Sequence, residues 1–262
     1  MKKEISENDI FSANILDKVK IAKTRNQIIA TDFLDMYKRK IAQDILNVHK
    51  EKNYEFYVPY EELEKAILIV FPEKYKEIMD SKKFDYSTLI KVIRITLPSQ
   101  LKGKYLHKDY LSAIMKLGVK REKVGDIIVF EDGADIEVKP EICEYILQNL
   151  KLLTRFSKAT IEEVHLRGLR KPEIKTKEIR ITVSSLRCDN IISEILKCSR
   201  NEASNIIEDQ RVFVNYSLQE ENSKNIKVND VIVIRGKGKF KVKEDQGKTK
   251  KEKTVLIVEH YV

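Results

Sequence analysis

Apolar residues recur at helical spacing through the first fifty residues of the chain. One stripe contains Phe11, Ile15, Val19 and Ala22, and a second contains Ile41, Ile45 and Val48. Asp35 precedes the second stripe, where its side chain can accept a backbone N–H of the first helical turn. The pattern predicts two helices, and we assign residues 1–53 to an N-terminal helical segment.

The hydrophobic period changes at residue 54. Strand-like patterns occupy 54–58, 66–71, 89–97, 126–130 and 134–138, and helical patterns occupy 108–117 and 140–150. Asp132 and Gly133 lie between two apolar runs, which is typical of a hairpin turn. This order predicts an α+β domain over 54–165, with helices on one face of an antiparallel sheet in a ferredoxin-like or RRM-like arrangement.

The periodicity is lost between residues 166 and 179, where Gly168, Pro172 and several charges predict a linker. Residues 180–262 then form a third predicted domain. Within it, two short amphipathic patterns flank Ser199, and apolar alternation follows. Ser199 and Glu202 have the spacing of a capping box, in which hydroxyl and carboxylate each accept a backbone N–H of the helix start.

Positive charge is concentrated toward the C-terminus. The 262 residues include 50 Lys and Arg against 41 Asp and Glu, a net charge of +9. Residues 167–180 carry six basic and two acidic side chains, residues 235–253 carry nine and three, and the rest of the chain is close to neutral. An excess of positive charge confined to two segments predicts a polyanionic partner such as nucleic acid. Runs of lysine can also be simply solvated.

Several other classes of protein are not supported by the sequence. No apolar stretch approaches the ~20 residues of a membrane span, and the N-terminus lacks the apolar core of a signal peptide, so we expect a cytoplasmic protein without a membrane partner. The spacing of the three cysteines and four histidines predicts neither a metal site nor a cofactor. GKT at 247–249 lacks the earlier glycine of a phosphate loop. Asp126, the best lone carboxylate, is interpreted as a capping or turn residue, and no catalytic residue is assigned.

Candidate RNA contacts cluster in two places. The helix after Ser199 presents unpaired backbone N–H groups beside basic side chains, which suits a phosphate backbone. Lysines recur at every second position from 237, so an extended segment projects them to one side and Phe240 to the other. The predicted RNA-binding residues are Arg187, Lys197, Arg200, Asn201, Arg211, Arg235, Lys237, Lys239 and Lys241. Two alternatives stay open: Arg187 pairs with Asp189 while Arg200 is merely exposed, and the lysines protect a strand edge from aggregation.

The segment 186–215 resembles the S-four RNA-binding domain, whose approximate pattern is R-L-D-x-x-L, then S-R-x-x-A-x-x-L-I-x-x-G, then x-V-x-V-N-G. The matching residues are Arg187, Asp189, Ser199, Arg200, Ala203, Ile206, Ile207, Val212, Val214 and Asn215. Cys188 replaces a leucine, and Gln210, Tyr216 and Asn229 replace glycines. If the family's turns are kept, these residues adopt them at more strain than glycine.

The resemblance extends over the whole chain. TDFLD (31–35), LGVKREKVGDIIV (117–129) and RGKGKFK (235–241) are similar to segments of the bacterial YlmH family, three-part proteins with an αL-type S-four domain at the C-terminus. The resemblance implies a non-catalytic RNA-binding protein that binds tRNA or rRNA on the large ribosomal subunit, in rescue or quality control of stalled nascent chains. We expect the protein to be a monomer. An RNA-modifying enzyme of the pseudouridine synthase type, targeted by its S-four domain, and a protein-interaction or assembly factor are the alternatives.

Overall fold

The computed structural model describes residues 6–172 and 176–261, and the chain forms two compact units. We call Met1–Pro172 the N-terminal unit and Glu173–Val262 the C-terminal unit. The boundary predicted at 53/54 therefore falls inside one unit. The linker predicted over 166–179 is also wrong for most of its length, because Leu166 and Leu169 are buried in the N-terminal unit and a strand of the C-terminal unit begins at Thr176.

Twelve elements make up the described part of the N-terminal unit, apart from short 3-10 turns. They are α1 (Glu7–Arg25), β1 (Ile29–Leu34), α2 (Met36–Val48), β2 (Tyr54–Tyr57), β3 (Ala66–Val70), α3 (Lys76–Asp80), β4 (Lys91–Thr96), α4 (His107–Lys116), β5 (Val124–Phe130), β6 (Gly133–Val138), α5 (Pro140–Leu150) and β7 (Thr160–Val164).

The N-terminal segment is not purely helical, because β1 lies between its two helices. β1, β3 and β2 form an antiparallel three-stranded sheet in that order. The register of β1 shifts between Ala30 and Phe33, and the buried Thr31 hydroxyl accepts the Leu68 N–H at 2.9 Å within this irregular stretch. α2 begins after its predicted cap, Asp35, but Val48 at its end is 77% exposed. Its buried face is instead formed by Met36, Ala42 and Leu46.

The predicted ferredoxin-like arrangement is present in β4–α4–β5–β6–α5–β7. These strands form an antiparallel sheet in the order β5-β6-β4-β7, and α4 and α5 pack on one face through Tyr110, Ile114 and Ile146. The opposite face of this sheet packs through Val92 and Ile128 against the sheet of β1–β3. β2 and β3 therefore belong to a separate sheet rather than to the ferredoxin-like one. The α+β class is confirmed.

The C-terminal unit is a six-stranded antiparallel sheet covered on one face by two helices. Its elements are β8 (Thr176–Val183), α6 (Cys188–Leu196), α7 (Arg200–Glu208), β9 (Val212–Val214), β10 (Ser217–Leu218), β11 (Val231–Ile234), β12 (Gly238–Lys248) and β13 (Thr254–Tyr261), with strand order β10-β9-β11-β12-β13-β8. The core between helices and sheet contains Cys188, Ile192, Ile207, Ile232 and Phe240. β8 starts four residues before the predicted domain boundary and pairs with β13 along its whole length.

The turns of the S-four pattern are kept without its glycines. Gln210, Tyr216 and Asn229 have φ angles of 55°, 64° and 73°, all in the left-handed region. Asn215 is also left-handed, and its side chain accepts the Val231 N–H at 2.9 Å. A left-handed L-residue costs roughly 1–2 kcal/mol, so each of these turns carries strain that glycine would not.

We predict that Gln210→Gly stabilises the C-terminal unit by about 0.5–1 kcal/mol. Relief of left-handed strain exceeds the extra unfolded-state entropy of glycine, about 0.5–1 kcal/mol. Urea unfolding of the full chain, followed by circular dichroism, measures the change. Ser204→Gly, inside right-handed α7, is the matched control and should destabilise by about 0.5 kcal/mol. Equal losses of unfolding free energy in the two variants would contradict backbone strain at Gln210.

Candidate nucleic-acid interface

The turn between α6 and α7 is defined by two capping residues. Lys197 caps the C-terminal end of α6, and its backbone is left-handed with φ 54°. Ser199 caps α7, and its hydroxyl accepts the Glu202 N–H at 3.1 Å. The return bond expected from the Glu202 carboxylate is not among the hydrogen bonds of the described residues, and Glu202 is exposed. The capping box is therefore only half formed, and Ser199 alone caps the helix.

A buried carboxylate organises the two arginines beside this turn. Asp189, whose side chain is 4% exposed, accepts Arg187 Nε and Nη2 at 3.1 and 2.9 Å and Arg200 Nε at 3.0 Å. Burial by itself would raise the pKa of Asp189, but the hydrogen bonds from both arginines outweigh it and lower the pKa. The carboxylate therefore stays ionised, and it holds both guanidinium groups in fixed positions.

This geometry answers the first open alternative. Arg187 does pair with Asp189, and Arg200, which that alternative left merely exposed, pairs with the same carboxylate. The two arginine side chains are nevertheless 38% and 51% exposed, because only one edge of each guanidinium faces Asp189. The outer edges remain available for an anion.

Three further predicted residues surround the turn. Lys197 is exposed and 3.8 Å from Glu194, and Asn201 is exposed in the first turn of α7. Burial raises the pKa of the Cys198 thiol, and the opposing charge of Lys237 is close enough to act on it. Lys237, in the β11–β12 turn, is thus within electrostatic range of the α6–α7 turn. We name Arg187, Lys197, Arg200, Asn201 and Lys237 the helix-turn surface.

The alternating lysines of β12 lie on the face of the sheet that is turned away from the helices. Phe240 and Val242 are buried against the helices, as predicted for Phe240, so Lys239 and Lys241 lie on the opposite face of the sheet. Lys239 Nζ is 5.0 Å from the ring centroid of Tyr261 and 5.6 Å from that of Tyr216. β12 pairs with β11 and β13 through this stretch, so protection of a free strand edge does not explain these lysines.

The lysine that continues the predicted alternation is already paired. Lys243 Nζ lies 2.7 Å from Glu178 and 3.0 Å from Glu259, and the hydrogen bonds to these carboxylates raise its pKa. Its charge is thus neutralised within the sheet. Lys239 and Lys241 are the lysines of this row that remain candidates for a contact on the outer face of the sheet.

Arg211 and Arg235 hold the β11–β12 turn together. Arg211 Nη2 donates to the Arg235 carbonyl at 2.9 Å, and the Arg235 guanidinium lies 5.2 Å from the ring centroid of the buried Phe213. Gly236 has φ 74°, and an added Cβ there would lie 3.4 Å from Arg211 Nη2. Both arginines therefore have structural partners, in addition to any contact with RNA.

The buried carboxylates of the N-terminal unit have structural roles. Asp126 Oδ2 accepts the backbone N–H groups of Glu64 and Lys65 at 3.0 and 2.9 Å. Its own N–H donates to the fully buried Glu137 at 3.2 Å, and burial raises the pKa of Glu137 well above its usual value. Asp126 is thus a turn-stabilising residue, in agreement with its interpretation from sequence. No cluster of metal-ligating side chains occurs within residues 6–172 and 176–261.

Comparisons with known proteins match this architecture. A family model described as "Putative RNA-binding domain in YlmH" matches residues 81–167, and one described as "S4 domain" matches residues 186–232. The first range contains the ferredoxin-like sheet and the second contains α6, α7 and Asp189. The sequence predicts no RNA contact in the first range, because basic residues are not concentrated in any segment of it. None of the described helices is long and apolar enough to span a membrane.

Individual relatives extend the comparison to the whole chain. "Ribosome-associated protein quality control protein P2" of Bacillus subtilis (strain 168) is 26% identical over 248 residues, which are 93% of this chain and 91% of the relative. The solved structure "Cell division protein ylmH from Streptococcus pneumoniae" has 18% identity and a TM-score of 0.46, and the match covers 65% of this chain and 99% of that one.

The two family models occur in the order that the sequence motifs imply. The YlmH RNA-binding domain precedes the S-four domain, and both lie on folded units that the structure describes. Both are RNA-binding in kind, and neither is a catalytic domain. The chain thus carries a YlmH-type RNA-binding domain followed by an S-four domain.

Proposed function

We propose that this protein is a non-catalytic, monomeric RNA-binding protein of the cytoplasm that acts on the ribosome. Its RNA target is tRNA or rRNA on the large subunit, and its process is the rescue or quality control of stalled nascent chains. The name of the Bacillus subtilis relative supports the ribosomal setting. The observation that carries the proposal is the pair of arginines that Asp189 holds at the α6–α7 turn.

Fixed guanidinium groups are suited to phosphate recognition. A guanidinium offers several N–H donors in one plane, which match two oxygens of a phosphate group. Because Asp189 already holds Arg187 and Arg200, less side-chain freedom is lost when RNA binds. The Ser199-capped start of α7 adds backbone N–H groups that favour an anion.

The remaining cations extend this contact. Lys197 and Lys237 enlarge the helix-turn surface, while Lys239 and Lys241 lie on the outer face of the sheet with Tyr216 and Tyr261 close to Lys239. Lysines next to aromatic rings suit RNA, whose phosphates and unstacked bases they can contact together. We propose the helix-turn surface as the main contact and the outer face as a second one.

Electron cryo-microscopy of particles recovered with the tagged full-length chain tests the ribosomal setting. We expect density for the protein on the large subunit, with the helix-turn surface against rRNA or tRNA. Recovery should be lost after nuclease treatment. Particles that contain only the small subunit, or a recovered complex without RNA, would contradict the proposal.

The RNA contact of the two arginines can be tested without disrupting the fold if the buried aspartate is neutralised as well. The variant Arg187→Gln, Asp189→Asn, Arg200→Gln removes both cations without leaving a buried unpaired charge. We predict about tenfold weaker binding to tRNA or large-subunit rRNA, and a log–log salt slope shallower by roughly two, because two phosphate contacts are lost. Fluorescence anisotropy at several salt concentrations measures both.

Two variants control this experiment. Asp189→Asn alone keeps both arginines and should keep at least the wild-type salt slope. Lys248→Gln removes an exposed lysine that is paired with Glu252 at 3.0 Å, and should change neither affinity nor slope. A triple variant with native circular dichroism that bound RNA as tightly as wild type would sink the helix-turn assignment.

The outer-face contact has its own test. Lys239→Gln with Lys241→Gln should make the salt slope shallower by roughly one to two, and should weaken all RNA sequences alike. Lys243→Gln on the same strand is the matched control, because its charge is already neutralised by Glu178 and Glu259. Parallel salt lines for wild type and the double variant would show that these lysines are only solvated.

A further inference from the structure

The N-terminal unit contains an open cleft of about 450 Å³, and its lining includes none of the residues discussed as phosphate contacts. It is formed by β2 and the residues after it, by the segment before β4, and by the segment after β7. Its lining includes Tyr57, Tyr60, Phe84, Tyr86, His165 and Arg167. All these residues belong to one unit, so the cleft is a feature of a single folded body.

One wall of the cleft is an aromatic stack. The rings of Tyr57 and Tyr86 are 3.6 Å apart and within 7° of parallel, and Phe84 meets Tyr86 edge-on at 5.2 Å. The Tyr86 hydroxyl donates to Glu55 at 2.9 Å, which fixes the orientation of the ring. These rings also border the apolar core, but they are only half-buried, so the wall is accessible from the cleft.

The rim of the cleft is polar and carries two cations. Lys82, His165 and Arg167 are all exposed. His165 Nδ1 accepts the Arg167 N–H at 3.2 Å, so in the neutral ring the proton lies on Nε2. The rim thus places two cations that could bind phosphate next to the aromatic wall. Glu55 and Asp85, which also line the cleft, offer acceptors for the amino groups of a base.

We propose that this cleft binds an unpaired nucleobase of single-stranded RNA. A base entering it extends the Tyr57–Tyr86 stack, and the flanking phosphates reach Lys82 and Arg167. The matched RNA-binding domain, residues 81–167, contains Phe84, Tyr86, His165 and both rim cations. The proposal rests on the proposed function in that the ligand is RNA. It assigns to the N-terminal unit a contact that reads an exposed base rather than the backbone of a folded RNA.

A single-stranded hexanucleotide that contains 2-aminopurine tests the cleft directly, because stacking on an aromatic ring quenches this base. We expect quenching on addition of the full-length protein. Tyr86→Leu should restore the emission and weaken binding by about five- to a hundredfold, the range for loss of one stacked base. Tyr86→Phe keeps the ring and loses only the bond to Glu55, so it should bind as wild type does.

Adjacent lysines supply a control that does not depend on the stability of the aromatic cluster. Lys82 lines the cleft, whereas the neighbouring exposed Lys83 does not. Lys82→Gln should make the salt slope for the hexanucleotide shallower by roughly 0.7, and Lys83→Gln should leave it unchanged. Equal effects of the two substitutions, or an unquenched probe, would overturn the assignment.

Two further measurements separate this inference from the proposed function. If the wild type binds tRNA or rRNA but does not quench the hexanucleotide, the cleft assignment fails alone. If it binds none of these RNAs, the proposed function fails. The monophosphate of 2-aminopurine riboside, titrated by itself, should bind much more weakly than the hexanucleotide. Equal affinity would identify a free nucleotide as the ligand and overturn an RNA strand as the occupant.

Discussion

A carboxylate that stays ionised when it is removed from water must be paired, and each unit contains one cluster built on this requirement. Asp189 accepts hydrogen bonds from Arg187 and Arg200, and thereby ties the start of α6 to the start of α7. In the N-terminal unit the fully buried Asp135 is held in the same way by Arg94 and Arg170. Removing both arginines from either aspartate would leave a buried charge without a partner, which typically costs about 3–5 kcal/mol.

The same physical solution has different consequences in the two units. Around Asp189 the outer edges of the guanidinium groups remain exposed, so a structural bond also prepares a binding surface. Around Asp135 the bonds hold the chain that leaves β7, because Arg170 also bonds Asp132 at 2.7 Å and lies 3.9 Å from the ring centroid of Phe130. The buried cluster around Asp135 therefore fixes the chain at the end of the N-terminal unit and does not form a binding surface.

The sequence predicts those features whose causes are local. Strand alternation correctly places Phe240 in the core, and the hairpin turn and the ferredoxin-like order follow from short-range patterns. β1 was missed because Thr31 and Asp32 interrupt its apolar run, and the burial of Thr31 depends on a bond to a strand that comes much later in the chain. The segment after β7 has the glycine, proline and charge of a linker. The bonds from Arg170 to Asp135, a residue distant in sequence, are what hold this segment in place.

In the candidate site, too, local features could be predicted from the sequence and long-range contacts could not. Arg187 and Arg200 could be selected from a local motif, but their shared partner depends on how the α6–α7 turn folds. The pairing of Lys243 could not be seen locally, because Glu178 is 65 residues away. The aromatic cleft could not be predicted from the sequence either, since Tyr57, Tyr86 and His165 come from three separate segments.

The cysteine at the start of α6 gives the binding turn a chemical property that its sequence pattern does not suggest. Cys188 stands where the S-four pattern has leucine, and burial raises the pKa of its thiol to about 12. Oxidants, alkylating agents and soft metal ions react with the thiolate, which is almost absent at such a pKa in neutral solution. Cys188 therefore behaves as a small apolar side chain, and it presents almost no reactive thiolate beside the two arginines.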